Sequence, residues 1–332
     1  MADLRIRTTG SADRVFDEAA VQLLKSSIRG PLYRLGDAGY EAARKIYNGM
    51  IDRHPALIVR CLGVADVIAA VNFAREHDLL LAVRGGGHSA PGLSMCNGGL
   101  VVDLSAMKSV RVDPVRRTAR AESGATWADF DHETQAFVLA TTGGIASTTG
   151  IAGLTLGGGI GYLNRKYGLA CDNLISADVV TADGQLLTAS LTENSDLFWA
   201  LRGGGGNFGV VTSFEYQIHP VGPVLAGFVL WPLERANEVL QFYRGFSLSA
   251  PDELRLDGIL TTSPIGPSIA IIVCWCGPIE HGERVLAPLR AFGPPALDTI
   301  AAVQYKTIQG LLESLGYVPG LLHYWKSSFF RS

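Results

Sequence analysis

Val83-Arg84-Gly85-Gly86-Gly87-His88-Ser89 invites a chemical reading before any other stretch of the chain. The apolar run from Leu79 to Val83 predicts a buried strand. It ends in an arginine, three glycines and a histidine that no apolar neighbour in the sequence shelters. Consecutive glycines remove every Cβ and permit positive φ, so the backbone can lie against a ligand with its N–H groups turned inward. That arrangement suits an anion such as a pyrophosphate and holds the histidine at the ligand's edge. Glycine clusters are also the ordinary punctuation of tight turns. Two readings therefore stand here: a surface turn with an incidental histidine, or a nucleotide cradle with a reactive one.

A second glycine-rich stretch runs from Thr142 to Tyr162 and contains Thr149, Gly150, Ile151, Gly153, Gly157, Gly158 and Gly159. Its residues are small, often hydroxylated and almost uncharged, and it carries the isoleucines and leucines that a flexible linker lacks. Such a segment fits a wall around a large, flat, mostly uncharged group. A third stretch, Arg202-Gly203-Gly204-Gly205-Gly206-Asn207-Phe208-Gly209, leads into Val210. Gly204, Gly206 and Gly209 spell G-x-G-x-x-G, but the dinucleotide fingerprint needs a strand before it and a helix after it. The order predicted here is the reverse, which disfavours a nicotinamide-binding Rossmann domain. The absence of G-x-x-x-x-G-K-[ST] argues against a P-loop nucleotide hydrolase.

The elements that must position these loops follow from periodicity. An N-terminal arm is predicted to carry short helices over Phe16–Leu24 and Tyr40–Met50. Ala56–Val59 reads as a strand. Val64, Val67, Ile68, Val71 and Ala74 fall on one helical face, and Leu79–Val83 completes a βαβ unit. The first cradle thus stands at the C-terminal end of a strand, where α/β folds usually place ligands. Leu100–Leu104 is a strand, Ser109–Val112 and Thr118–Glu122 a hairpin, and Trp127–Phe137 a helix. Leu174–Thr181 and Leu186–Ser190 form another hairpin, a helix begins at Glu193, and Val210–Ile218 is a strand. From Pro223, strand-like runs (Ala226–Trp231, Arg255–Thr261, Ser268–Cys276) alternate with helix-like ones (Leu233–Tyr243, Glu283–Ala291, Ile308–Leu315). That pattern predicts antiparallel sheet with helices on one face.

At 332 residues, 48% hydrophobic and 18% charged, the chain predicts two folded domains. With 28 basic and 31 acidic residues, a net charge of −3 supplies no field for nucleic acid or an anionic membrane. No apolar stretch reaches the roughly 18 residues of a membrane span, and Met1–Arg7 lacks the apolar core of a signal peptide. A cytoplasmic protein is expected. Five scattered cysteines (Cys61, Cys96, Cys171, Cys274, Cys276) give neither a disulfide framework nor a paired zinc motif. Cys274 and Cys276 share one face of their strand and read as packing. Glycine is the excess, 39 of 332 residues, concentrated between Gly85 and Gly209.

Four matches, in this order, give the chain a family likeness: Arg84-Gly85-Gly86-Gly87-His88-Ser89; Thr149-Gly150-Ile151-Ala152-Gly153-Leu154-Thr155-Leu156-Gly157-Gly158-Gly159; Asp172-Asn173; and Arg202 through Thr212. From about Tyr47-Asn48-Gly49-Met50 to Pro220, and more faintly beyond, the sequence resembles the flavoprotein oxidoreductases with the fold of p-cresol methylhydroxylase (PCMH) and vanillyl-alcohol oxidase. It is most similar to their berberine-bridge-enzyme-like branch. The resemblance implies an α+β fold: a helical arm over residues 1–50, a two-lobed PCMH-type FAD-binding domain over 51–222, and an antiparallel-sheet-plus-helices substrate domain over 223–332.

It further implies FAD bound covalently through His88 to the flavin 8α-methyl carbon. The cofactor-binding set it implies is Arg84, Gly85, Gly86, Gly87, His88, Ser89, Thr149, Gly150, Ile151, Gly153, Gly157, Gly158, Gly159, Asn207, Gly209 and Val210. The backbones of Gly85–Ser89 and Gly150–Gly153 are implied to hold the pyrophosphate. Many branch members add a cysteinyl bond four residues before the glycine matching Gly150; Ala146 stands there, so one bond is expected. Hydride from an alcohol, sugar or secondary-metabolite C–H would pass to the flavin, with O2 or another acceptor reoxidising it. Tyr324-Trp325-Lys326-Ser327 resembles a motif on a strand of the substrate domain, though an aromatic pair in the core is an equal reading. Relatives continue past the position of Ser332 through more sheet and a segment with the catalytic base. The substrate domain is therefore expected to be partial and no base is assigned, with a flavin-binding remnant without turnover as the alternative.

Overall fold

The computed structural model describes residues 4–328. Met1–Asp3, part of the expected leaderless start, and Arg331–Ser332, where the substrate domain is expected to break off, lie outside the described residues.

The first lobe opens with a hairpin, β1 (Leu4–Arg7) and β2 (Asp13–Phe16), followed by α1 (Glu18–Ser27). Its sheet takes β3 (Leu32–Tyr33), β4 (Leu57–Arg60), β5 (Leu81–Arg84) and β6 (Leu100–Asp103), with α2 (Tyr40–Arg44) and α3 (Val64–Glu76) between them in sequence. The spatial order is β3-β4-β6-β5, and β6 runs parallel to both β4 and β5. The predicted strand–helix–strand unit is present, with β6 inserted between its two strands. Leu57, Ile58 and Val59 are fully buried, as a parallel strand covered on both faces must be. β5 begins two residues later than its apolar run. The Leu79 N–H bonds Ala74 O at the end of α3, and the Leu80 N–H bonds Arg7 O, each at 2.8 Å. The arm is less helical than expected, since a hairpin precedes α1 and α2 spans five residues. Ile6, Phe16, Val21 and Leu24 join the core of α3 and β4.

The second lobe is an antiparallel sheet. β7 (Val110–Asp113) and β8 (Thr118–Glu122) form the first predicted hairpin, and β10 (Leu174–Val180) and β11 (Leu186–Ser190) the second; β12 (Val210–Gln217) lies between them in the order β11-β10-β12-β8-β7. α4 (Trp127–Gln135), α5 (Ile151–Leu156), α6 (Asn164–Tyr167) and α7 (Ser195–Leu201) punctuate it, with the short strand β9 (Leu139–Ala140) after α4. Thr126 and Asp129 form a reciprocal capping box that starts α4. Trp127, Phe130 and Tyr216 meet edge to face in the core below. Val180 and Val210 belong to the first lobe's core, which fastens the two lobes together.

β13 (His219–Pro220) pairs with β9 and leads into the third sheet. Its strands are β14 (Val224–Pro232), β15 (Leu254–Ser263), β16 (Gly266–Trp275), β17 (Leu297–Asp298) and β18 (Ala301–Val303), every pairing antiparallel. A period of two sorts its two faces. Leu225, Val229 and Trp231 of β14, with Ile269, Ile271, Val273 and Trp275 of β16, pack beneath α8 (Ala236–Ser249) and α9 (Ile279–Ala291). Ala226, Ile272 and Cys274 face the other way, against Tyr162 and Leu163 of the second lobe and α10 (Tyr305–Gln309). Cys274 and Cys276 share this face as expected. α11 (Leu311–Ser314) follows. Tyr324–Ser327 meets neither expectation: the segment is irregular, and Tyr324 and Trp325 are 76% and 62% exposed. The chain just before it pairs with the Tyr47–Gly49 turn instead of adding a strand to the third sheet, as Gly320 N–H bonds Tyr47 O at 2.9 Å and Gly49 N–H bonds Leu321 O at 2.8 Å.

Candidate functional site

The loop after β5 and the segment leading into α5 meet backbone to backbone. A Cβ on Gly86 would stand 2.4 Å from Gly150 Cα, and one on Gly150 would stand 2.5 Å from Gly86 N. Only glycine at both positions permits this approach. Gly85 sits beside it against Ser123 O and Ala152, and Gly87 has φ +73°. None of the N–H groups of Gly85, Gly86, Gly87, His88 and Ser89 donates a hydrogen bond among the described residues, and neither do those of Ala152 and Gly153. These donors, mostly half-buried in the loop at His88 and open at Gly153, converge on the seam where the two lobes meet, an arrangement of backbone N–H groups that suits an anion. Ile151 is fully buried beneath it and bonds Ala125 O.

Arg84 lies under the loop, not on its open side. Its guanidinium donates to Ala43 O, and its Nε stands 3.9 Å from the buried Asp103 carboxylate, which also holds Arg60 at 2.9 Å. Gly87 is moulded around that guanidinium, since a Cβ there would lie 3.2 Å from Arg84 Nε. Ser89 ends the loop, its Oγ accepting from Leu93 N–H at 2.9 Å.

His88 is sheltered from a direction its sequence neighbours do not reveal. Tyr47 stacks on its ring at 3.8 Å, and His323 in turn stacks on Tyr47 at 5.0 Å. Burial pushes the imidazole pKa down to about 4, the nearby Glu313 opposing that and His323 adding to it. The ring is therefore neutral at pH 7. Its Nε2 lies 2.9 Å from Thr148 Oγ1 and its Nδ1 3.4 Å from Thr149 Oγ1. Asn48 ties the surroundings together: its Nδ2 donates to Ala90 O and His323 O, and its Oδ1 accepts from the N–H groups of Met50 and His323.

The other predicted residues sit further along the seam. Gly157 caps α5, while Gly158 and Gly159, both at positive φ, turn back so that their carbonyls accept from Cys171 and Ala170. Gly205 N–H bonds Leu156 O, which brings the third glycine loop to the end of α5. Asn207 is exposed and bonds Gly204 O within its own loop; Gly209 (φ +138°) has no room for a Cβ beside Val180 O; Val210 is core. No hydrogen bond links these three to the loop at His88. A helix precedes this glycine loop and a strand follows it, so the order that disqualified the G-x-G-x-x-G match is the order observed. Ala146 lies in the loop that carries Thr148. Cys171 and Cys276, like the fully buried Cys274, have thiol pKa values raised by burial. Among the described residues, no group of three or more His, Cys, Asp or Glu side chains could hold a metal ion.

The sequence family described as an FAD binding domain matches residues 55–190, which contain both halves of the seam. The chain is 35% identical over 307 residues to an FAD-linked oxidoreductase of Dictyostelium discoideum, covering 92% of this chain and 67% of that one. Its fold superimposes on 6-hydroxy-D-nicotine oxidase from Arthrobacter nicotinovorans with a TM-score of 0.84 at 34% identity, covering 89% and 66% of the two chains. A Physcomitrella patens BBE-like protein gives 0.78 at 26%, covering 86% and 63%. The chain belongs to the berberine-bridge-enzyme-like FAD-linked oxidoreductases, with the PCMH-type fold. It spans about two thirds of the length of these relatives.

For a member of this family, the glycine-to-glycine contact and the unpaired N–H groups on both sides of it fit FAD: the seam offers a dinucleotide pyrophosphate the donors it needs. Sequence reasoning missed Tyr47, Thr148, Glu313 and His323, all of which surround His88. Tyr47 lay at the edge of the family resemblance. Glu313 and His323 gave no local signal, standing 165 and 275 residues from the partners that they meet at Thr148 and Asn48.

Proposed function

We propose that the protein is an FAD-dependent oxidoreductase in which His88 carries the flavin covalently at its 8α-methyl carbon. In this reading, the backbones of Gly85–Ser89 and Gly150–Gly153 hold the pyrophosphate through the N–H groups left unpaired there, those of Ala152 and Gly153 on the second side, and Thr149, Gly157–Gly159, Asn207, Gly209 and Val210 shape or brace the binding surface. The bound flavin supplies hydride acceptance from an alcohol, sugar or secondary-metabolite C–H, with O2 or another acceptor taking the electrons. His88 is suited to its part because a neutral imidazole keeps a nucleophilic lone pair at neutral pH. Ala146 offers no thiol, so the attachment is single. Residues 223–332, which include the third sheet with strands from Val224 to Val303, form the partial substrate domain that covers the site. The five free cysteines agree with a reducing compartment, and the cytoplasm is the location we favour.

The observation that carries this reading is the contact of Gly86 with Gly150, edged by donors that bond nothing else. Denaturation and proteolysis of the yellow protein should yield one flavin-bearing peptide containing His88. His88→Ala should release FAD intact on denaturation. Anaerobic bleaching of the bound flavin by candidate alcohols, sugars or secondary metabolites then identifies the substrate class. Colourless protein that takes up no added FAD would end the proposal, and firmly bound FAD that no substrate bleaches would favour a binding remnant.

A further inference from the structure

The Glu313 side chain, on α11, reaches back to the loop that faces His88. Its Oε1 accepts from Ser147 Oγ at 3.2 Å, Thr148 N–H at 3.1 Å and Thr148 Oγ1 at 3.1 Å. Its Oε2 is buried with no donor. A threonine hydroxyl has one proton. Because Thr148 gives that proton to Glu313, its oxygen can only accept at the 2.9 Å contact with His88 Nε2. The imidazole proton is therefore on Nε2, and Nδ1 carries the free lone pair, with only the long 3.4 Å contact to Thr149 Oγ1. Tyr47 covers one ring face, so the ring presents an edge to any electrophile.

We propose that Glu313, acting through Thr148, is the positioning residue that sets the His88 tautomer and receives its proton during covalent flavin attachment. The proposal rests on the FAD reading above and adds to it a residue from the third-sheet half of the chain. In the step, the Nδ1 lone pair forms a bond to the 8α carbon. One C–H bond of that methyl group breaks, its hydrogen leaves as a proton, and its electron pair passes into the ring system. Dioxygen then takes those two electrons with two protons, the one released from the methyl group and the one that Glu313 receives from His88, and becomes hydrogen peroxide, which returns Glu313 to its carboxylate. The Nε2 proton of His88 moves to Thr148 Oγ1 as the Thr148 proton moves to Glu313, so the linked imidazole ends neutral. Without an acceptor behind Thr148, the ring must shed its proton into a pocket from which burial has already excluded charge.

Protein from riboflavin-limited cells, mixed with FAD, reports the step directly through acid-stable flavin fluorescence in denaturing gels. Glu313→Ala and Thr148→Val should bind FAD with wild-type affinity, judged by the flavin spectrum before denaturation, yet form the covalent bond about a hundredfold more slowly. Thr148→Ser should restore the rate, and added formate should partly rescue Glu313→Ala, an effect that a merely structural role would not show. Glu313→Gln, which preserves shape and removes proton acceptance, should stay slow. Variants that bind FAD and link it as fast as wild type overturn the relay alone. Wild-type protein that binds FAD and never links it overturns the covalent reading and the relay together.

Discussion

Glycine at positions 86 and 150 is demanded by contact rather than by conformation, since neither residue has positive φ and each lacks room for one more carbon. A methyl group at 86 would have to push Gly150 Cα from 2.4 Å to ordinary contact, which opens the seam by more than an ångström. Gly86→Ala is therefore expected to destabilise the fold by about 1–3 kcal/mol, the usual range for overpacking, and to abolish FAD uptake even where it folds. Gly203 is the contrast: nothing stands within 4 Å of its Cβ position, and Gly203→Ala should leave FAD uptake unchanged, its only strain being a φ of +126°. Spectral titration of both variants checks the pair, and equal FAD affinity in Gly86→Ala would refute the contact argument. At this scale the sequence was most legible where a residue acts through its own backbone. The three glycines offered a turn or a cradle, and His88 was the residue beside them that could do chemistry. What surrounds His88 was not legible, because Tyr47, Thr148, Glu313 and His323 are brought there by packing, and residue type carries no record of a distant partner.

Between elements, the clearest strain on physical grounds lies where α4 of the second lobe meets α10 beyond the third sheet. Asp131, fully buried on α4, accepts from Gln309 Nε2 at 3.1 Å. Gly143 makes the space, since a Cβ there would stand 2.7 Å from the same nitrogen. Asp131 Oδ1, Gln309 Oε1 and Tyr305 OH are buried without partners. Desolvation raises the Asp131 pKa from 3.8 to about 7, with Gln309 only partly opposing it. The folded protein thus keeps a proton that the unfolded chain loses, so this group's contribution is fully present below pH 3.8 and is lost as pH rises to about 7. The slope is about 1.4 kcal/mol per pH unit at most. Asp131→Asn has no such proton. Its stability relative to wild type should therefore improve steadily between these two values and level off above, as urea unfolding at several pH values would measure; a pH-independent difference would show that the carboxyl is already ionised in the fold. The elements themselves were largely readable, both hairpins and the antiparallel strands of the third sheet following from period, but the expected helices on one face hold only for α8 and α9, since α10 packs against the other. Less readable were the short pieces: α2 is shorter than its pattern, and the late start of β5 and the path into Tyr324–Ser327 go with hydrogen bonds to remote backbone, Leu80 to Arg7 and Gly320 to Tyr47.

At the scale of the whole molecule, FAD in the proposed site is a brace between lobes. The two lobes already share the core residues Val180 and Val210, and the third sheet adds its own seal through Tyr162, Leu163, Ile272 and Cys274. At the seam, however, the facing backbones leave donors unpaired on both sides, so an anion bound across them would hold both lobes at once. A reversible ligand that binds the native state alone stabilises it by an amount that grows with its concentration, about 1.4 kcal/mol for each tenfold rise. A tethered ligand cannot dissociate, and its contribution no longer depends on what is free in solution. His88→Ala saturated with FAD should accordingly show a melting temperature that climbs with added FAD and falls on dialysis. Covalently loaded wild type should melt at one temperature whatever FAD is added and keep it through dialysis. Differential scanning fluorimetry across a range of FAD concentrations separates the two behaviours. If both proteins melt at the same temperature regardless of FAD, the seam is not where the coenzyme binds, because a ligand joining the lobes must raise the free energy needed to part them.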